Sequence, residues 1–202
     1  MSGEGTTPPP IYGLLLSGGA SQRMQRDKAH VEYRGEPQLL RAWRLLAEVT
    51  DQAFVSVRED QRGDPLRAGL PMLIDSYDSI GPAAGILSAQ DAHPDAAWLV
   101  LACDLPLLDQ AALQALLAGR DPAAEATAFL SRHDGLPEPL CAIWEPASHA
   151  LLLQRYQAQE YCPRKALIRS NITLLPPPGK VLDNINTPAD LEQMRSVIEA
   201  RT

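Results

Sequence analysis

Cysteine is scarce in this chain: three in 202 residues, at positions 103, 141 and 162. They lie far apart, no C-x-x-C pair occurs, and the four histidines do not cluster with them. That pattern argues against structural zinc and for buried, reduced thiols. Positive charge is also in short supply, with 18 Lys and Arg against 25 Asp and Glu, for a net charge of −7. Such a balance argues against broad nucleic-acid binding, which depends on a basic surface. No apolar run approaches the ~20 residues of a membrane span. A charged-then-apolar leader is missing too, so a cytoplasmic location away from membranes is expected. The chain contains no Gly-Lys-Ser/Thr phosphate loop, because Lys28 sits between Asp27 and Ala29. Nor does it contain the G-x-G-x-x-G dinucleotide fingerprint, since Gly18 and Gly19 are adjacent. No internal repeat and no interdomain linker is visible.

What is present reads as one α/β domain. Residues 1–10 are small, polar and proline-rich, and are expected to be a disordered tail; residues 11–202 are expected to form a single domain. Apolar runs at Ile11–Leu16, Phe54–Val57, Met72–Ile74, Ala97–Ala102, Ala126–Leu130, Leu140–Trp144 and Ile172–Leu175 have strand lengths, and His30–Tyr33 reads as a short strand or loop edge. Helical patterns lie between them. Pro37 opens one, with Leu39, Leu40, Trp43, Leu46 and Ala47 on one face. Gly81-Pro82 starts another, running to about Gln90. Asp109 caps a third, which ends at Gly119. Glu145–Gln157 and Pro163–Arg169 are expected to be helical, and Thr187 caps a last helix that opens at Pro188. Residues 61–71 are polar, with two glycines and two prolines, and read as a loop. Strands alternating with helices imply a mostly parallel, Rossmann-like sheet covered on both faces, a three-layer α/β/α arrangement.

Ligands of such sheets sit beyond the carboxyl ends of the strands, which makes the strand exits the places to look for function. The first exit is Gly18-Gly19, followed within ten residues by Arg23, Arg26 and Lys28. Adjacent glycines let peptide N–H groups turn toward an anion, and the basic side chains add mobile positive charge. A tight turn with solvated charges fits the same residues. A second exit ends at Asp75 and a third at Asp104, all opening onto one edge of the sheet. A lone Asp after a strand is commonly a cap or turn former. Asp104 is less suited to that role, because Asp109 already caps the next helix. A carboxylate at a strand end before the rigid Leu105-Pro106 suits a Mg²⁺ ligand, since magnesium takes one or two carboxylates plus phosphate oxygens and water.

These segments together resemble the nucleotidyltransferases of the molybdenum cofactor, guanylyl type. Leu16, Ser17, Gly18, Gly19, Ala20, Ser21, Gln22, Arg23, Met24, Gln25, Arg26, Asp27 and Lys28 follow that family's opening signature, with Ser17 where alanine is usual and Gln25 where glycine is usual. Gly81-Pro82-Ala83-Ala84-Gly85-Ile86, Cys103-Asp104-Leu105-Pro106, Pro139–Trp144 and Asn184-Ile185-Asn186-Thr187-Pro188 match its later motifs in order. The resemblance implies transfer of GMP from GTP to molybdopterin, with pyrophosphate leaving. It assigns the nucleotide to Leu16, Ser17, Gly18, Gly19, Lys28, Asp75, Gly81 and Asp104. Lys28 and Asp104 would be catalytic, and Asp104 would hold Mg²⁺. Arg23, Arg164, Asn184 and Asn186 fall to the pterin side; turn-making before Thr187 and a solvated helix charge are the plainer roles for the asparagines and for Arg164. Arg58 stands where the family often has a nucleotide-contacting asparagine. Other cofactor-biosynthesis proteins or recipient molybdoenzymes are implied as partners. Three alternatives stay open: cytidylyl transfer to the same cofactor, nucleotidyl transfer to a sugar or alcohol phosphate, and a non-catalytic nucleotide-binding module.

Overall fold

The apolar run Ile11–Leu16 (β1) lies at the centre of a seven-stranded sheet, with Gln52–Val57 (β4) on one side and Ala97–Ala102 (β6) on the other. The structure is a computed structural model and describes residues 7–17, 28–33, 35–78 and 80–184. Met72–Ile74 (β5) continues the sheet beyond β4. Pro137–Trp144 (β8), Ala126–Leu130 (β7) and Ile172–Leu175 (β9) continue it beyond β6, in that order. β5, β4, β1 and β6 are mutually parallel. β8 is antiparallel to both its neighbours, and β9 is again parallel to β7. The expected mostly parallel sheet is therefore right, with one reversed strand. The reversal follows from the short turn at Asp134-Gly135, which joins β7 to β8; a link that short cannot make a parallel crossover. Gly135 adopts φ +69° there.

Alternate residues of the central strands feed two cores, one on each face. Leu15, Val55, Val57, Leu99 and Leu101 pack with Leu39, Ala42 and Leu46 of Gln38–Ala47 (α1) and with Leu113 and Leu116 of Gln110–Ala118 (α3). Leu14, Trp98, Val100 and Trp144 pack instead with Ile86 and Leu87 of Pro82–Ala92 (α2), Leu152 of Ser148–Gln157 (α4), and Ala166 and Leu167 of Pro163–Ile168 (α5). Trp98 and Trp144 stand opposite each other across β6 and β8, both fully buried. Each such side chain stabilises the fold by about 1.5–3 kcal/mol through burial. Helices on both faces of one sheet give the three-layer arrangement.

Several local expectations shift. Lys28–His30 forms a 3₁₀ turn, and only Glu32–Tyr33 (β2) of the anticipated strand forms, paired with Glu36–Pro37 (β3). Pro37 precedes the first residue of α1, and Leu40, Trp43 and Ala47 are half-buried beside the buried Leu39, Ala42 and Leu46. α4 begins at Ser148, three residues later than anticipated. Glu145 is withheld from it: its carboxylate, 1% exposed, is clasped by Arg120 with contacts of 2.6 and 2.8 Å. Arg120 also donates to the Pro9 carbonyl (3.0 Å), and the Pro10 carbonyl accepts from Ala97 N (2.9 Å). Pro9 and Pro10 are thus tied to the far edge of the sheet. The anticipated helix after Thr187 lies outside the described residues.

Candidate nucleotide site at the strand exits

β5, β4, β1 and β6 run side by side in one direction, so Asp75, Arg58, Ser17 and the Cys103-Asp104 pair leave from the same edge. Register pairs Leu16 with Ser56 and with Ala102. Neighbouring strands are about 4.8 Å apart, so these four exits line a short stretch of that edge.

Hydrogen bonds fix the exit of β1 from both sides. The Leu16 carbonyl accepts from Cys103 N (3.2 Å). Ser17 is 5% exposed; its amide and its hydroxyl both donate to the Ser56 carbonyl, at 3.4 and 3.0 Å. The Ser56 hydroxyl donates onward to Asp75 Oδ1 (2.7 Å), while Asp75 N donates to the Val57 carbonyl (2.9 Å). Burial pushes the Asp75 carboxyl above the usual carboxylate range, and the Ser56 hydrogen bond and the Arg58 charge offset this only in part.

Two glycines of the Gly81–Ile86 segment are demanded by their surroundings. Gly81 adopts φ +65° at the residue before α2, a conformation L side chains rarely take. A Cβ on Gly85 would lie 2.4 Å from Ser56 Oγ and 2.6 Å from Leu16 Cδ2. Gly85 therefore lets α2 press directly on the floor formed by the ends of β1 and β4. Just before the helix, Ser76 N donates to Ser88 Oγ (2.7 Å), which ties the segment after Asp75 back onto α2.

Asp104 leaves β6 half-buried, and the residues after it are locked in place. Leu105, Leu107 and Leu108 are buried, and Arg41 of α1 donates to the Leu108 carbonyl (2.6 Å). Asp109, not Asp104, caps α3, its Oδ1 accepting from Ala112 N (3.0 Å). Among the described residues no group of three or more His, Cys, Asp or Glu side chains comes together as a metal site. Magnesium takes one or two carboxylates and completes its shell with phosphate oxygens and water, so a single carboxylate such as Asp104 suits it.

The other half of the sheet delivers a second set of groups to the same edge. The β7–β8 turn lies there because β7 is parallel to β6 across the reversed β8. Arg164, near the start of α5, pairs with Asp134 (2.9 Å) and Glu138 (2.8 Å) of that turn and strand. Asp183 receives two hydrogen bonds from Arg132, at 2.8 and 2.7 Å, and lies 3.1 Å from His133 Nε2. The hydrogen bond from Arg132 is the main influence holding Asp183 below the usual carboxylate range. Asn184 follows it, exposed, at that edge. Arg164 is thus an ion-paired residue rather than a solvated charge. Lys28 begins the 3₁₀ turn that packs on α1. Gly18, Gly19, Arg23 and Asn186 lie outside the described residues.

One group escaped the sequence reading. Arg67, in the polar 61–71 loop, is fully buried and donates to both Ser17 Oγ (3.1 Å) and the Ser17 carbonyl (3.2 Å). No spacing in the sequence marks it.

A parallel-stranded α/β sheet with these groups at its carboxyl edge defines the α/β nucleotidyltransferase class. Within that class, residues 13–173 match the MobA-like NTP transferase domain, and the chain belongs to that family. A molybdenum cofactor guanylyltransferase of Pseudomonas aeruginosa is 34% identical over 197 residues, covering 94% of this chain and 96% of that protein. A molybdenum cofactor biosynthesis bifunctional protein of Synechocystis is 36% identical over 187 residues, covering 92% of this chain; the match spans only 54% of that longer protein. Among solved structures, molybdopterin-guanine dinucleotide biosynthesis protein A of Archaeoglobus fulgidus superposes with a TM-score of 0.76 at 22% identity, covering 94% of this chain and 99% of that one.

Proposed function

We propose that this chain transfers GMP from GTP to the terminal phosphate of molybdopterin. An oxygen of that phosphate attacks the α-phosphorus of GTP. The bond from the α-phosphorus to the bridging oxygen breaks, and pyrophosphate leaves. The observation that carries the reading is the delivery of Ser17, Asp75 and Asp104 to one sheet edge, in a chain 34% identical to a guanylyltransferase along nearly its whole length. In this reading the strand ends from β5 to β6 receive the nucleoside triphosphate. Asp75 and the Leu16–Ser17 backbone face the nucleoside, Gly18, Gly19 and Gly81 give close backbone approach, and Lys28 stabilises phosphate charge. The β8–β7–β9 half presents Arg164 and Asn184 to the pterin, and Asn186 and Arg23 join them in this reading by the resemblance alone.

Such reactions depend on positioning and charge stabilisation, with attacking and leaving oxygens in line. Asp104 would hold Mg²⁺ in concert with phosphate oxygens; bound there, the ion would neutralise charge building on the departing pyrophosphate. The reaction belongs in the cytoplasm, with cofactor-biosynthesis proteins or recipient molybdoenzymes taking up the product. No helix among the described residues is long and apolar enough to cross a membrane.

Titration of the purified protein with each of the four nucleoside triphosphates and Mg²⁺, followed by a transfer assay on molybdopterin, tests the reading. GTP should bind at least ~10-fold more tightly than CTP, about 1.4 kcal/mol. Equal or tighter CTP binding would replace it with cytidylyl transfer. Nucleotide binding without pyrophosphate release would leave a binding module.

A further inference from the structure

We propose that the buried Arg67–Asp64 pair is a clamp that fixes both chain segments flanking residues 18–27, making Arg67 a positioning residue for triphosphate binding. The proposal rests on the nucleotide reading above.

Arg67 lies 50 residues from Ser17 in sequence and is 0% exposed. A buried ion pair is weak evidence for stability, because desolvating two charges offsets most of their attraction and apolar residues of similar volume often do as well. Its value must then lie in what it holds. On one side, the guanidinium donates through Nε to Ser17 Oγ and through Nη2 to the Ser17 carbonyl. With the amide and hydroxyl of Ser17 already donating to the Ser56 carbonyl, every polar group of that residue is engaged. Ser17 is where the chain leaves β1, immediately before the glycine pair. On the other side, Arg67 Nη1 donates to Asp64 Oδ2, and Asp64 Oδ1 lies 3.4 Å from His30 Nε2, in the turn that Lys28 begins. One ion pair therefore touches the residue before the segment and the turn after it. Asp64 is itself held by Leu66 N (2.9 Å), and its carbonyl accepts from the amides of Arg67 and Ala68, so the 64–68 loop is rigid enough to serve as a strut. The same chain of bonds reaches Asp75 through Ser56. The planar fork of arginine meets Asp64 and both Ser17 oxygens at once; a lysine ammonium keeps the charge but not that geometry.

Equilibrium GTP binding, thermal melting and steady-state transfer should be measured on wild type, Arg67→Lys, Asp64→Asn and the double variant. The expected result is a GTP Kd raised at least ~10-fold in each single variant, with kcat at saturating GTP within ~3-fold of wild type. Asp64→Asn should also melt lower, because it leaves the buried Arg67 charge unpaired, so GTP affinity is the deciding readout. The double variant should lose less than the sum of the two, because both residues act through one unit. A folded Arg67→Lys that binds GTP like wild type, with only its melting lowered, overturns the clamp in favour of a structural role. Should the lysine variant not fold, wild-type affinity in Asp64→Asn overturns it equally, and so does strict additivity. A wild-type chain that binds no nucleoside triphosphate overturns the proposed function, and the clamp with it.

Discussion

Ser56 donates its hydroxyl to the Asp75 carboxylate at 2.7 Å, joining the ends of β4 and β5 beneath the proposed nucleoside. Burial raises the Asp75 carboxyl above its ordinary value despite that bond. The folded state therefore holds the Asp75 proton more tightly than the unfolded chain does. Stability from this group is present below the unfolded value and is lost as pH rises through the raised folded one. Asp75→Asn keeps an acceptor for Ser56 and removes the buried charge. It should melt at or above wild type at neutral pH, yet bind GTP at least ~10-fold more weakly. Paired melting and titration curves check both halves, and wild-type GTP affinity should itself decline as pH falls through the Asp75 titration.

Gly85 tests how closely α2 must approach. Gly85→Ala would place its Cβ against Ser56 Oγ and Leu16 Cδ2, both in a close-packed floor. Overpacking of this kind costs about 1–3 kcal/mol. In a domain of this size that lowers Tm by roughly 2–4 °C per kcal/mol. GTP affinity should fall as well, since the displaced serine supports Asp75. A variant that melts and binds like wild type would mean that α2 can retreat without disturbing the site.

The strand exits were legible in the sequence because they obey local rules. β1 and β6 announce themselves as apolar runs, Asp109 as a cap followed by a helical pattern, and the parallel order of β5, β4, β1 and β6 brings Asp75 and Asp104 to one edge as expected, with Ser17, the residue before the expected Gly18-Gly19 exit, beside them. The reversal of β8 was signalled by the turn at Asp134-Gly135, but strand-and-helix alternation alone could not give its direction. Glu145 reads as the start of a helix because nothing nearby reveals Arg120, 25 residues earlier. Arg67 is the clearest case. An arginine in a polar, glycine- and proline-bearing loop reads as a solvated charge, and only packing against a strand end 50 residues away buries it. Long-range pairing of charges leaves no periodic trace.

Lys28 lies at the start of the turn that the Arg67–Asp64 pair steadies through His30. In the proposed reaction its ammonium acts on the triphosphate as a compact point charge. Lys28→Ala should slow GMP transfer on the order of 10²-fold while leaving the melting temperature nearly unchanged. Turnover at the wild-type rate with a melting point several degrees lower would make Lys28 structural and remove it from the phosphate site.

Asp104 and Asp109 stand five residues apart on the same turn, and their variants should behave in opposite ways. The Asp109 carboxylate has a visible structural role, since it accepts from Ala112 N at the start of α3. Asp109→Ala should cost about 1 kcal/mol of stability, as expected for a lost cap, and leave the rate of transfer near wild type. Asp104 stands two residues past the last residue of the fully buried β6, on a turn where Leu105, Leu107 and Leu108 are buried and Arg41 donates to the Leu108 carbonyl. Asp104→Asn keeps the size of the side chain and removes its charge. If that carboxylate anchors a divalent ion beside the phosphates, transfer at saturating GTP should fall at least roughly 100-fold, since loss of one preorganised stabilising group costs on the order of 10²–10³ in rate. Folding should change little, and excess Mn²⁺ should restore part of the rate by raising occupancy of the weakened site. Transfer assays over a metal titration, with melting curves for both variants, separate the roles. Near-normal transfer by Asp104→Asn, no response to metal and a lowered Tm would assign Asp104 to the turn and require another residue to bind the ion.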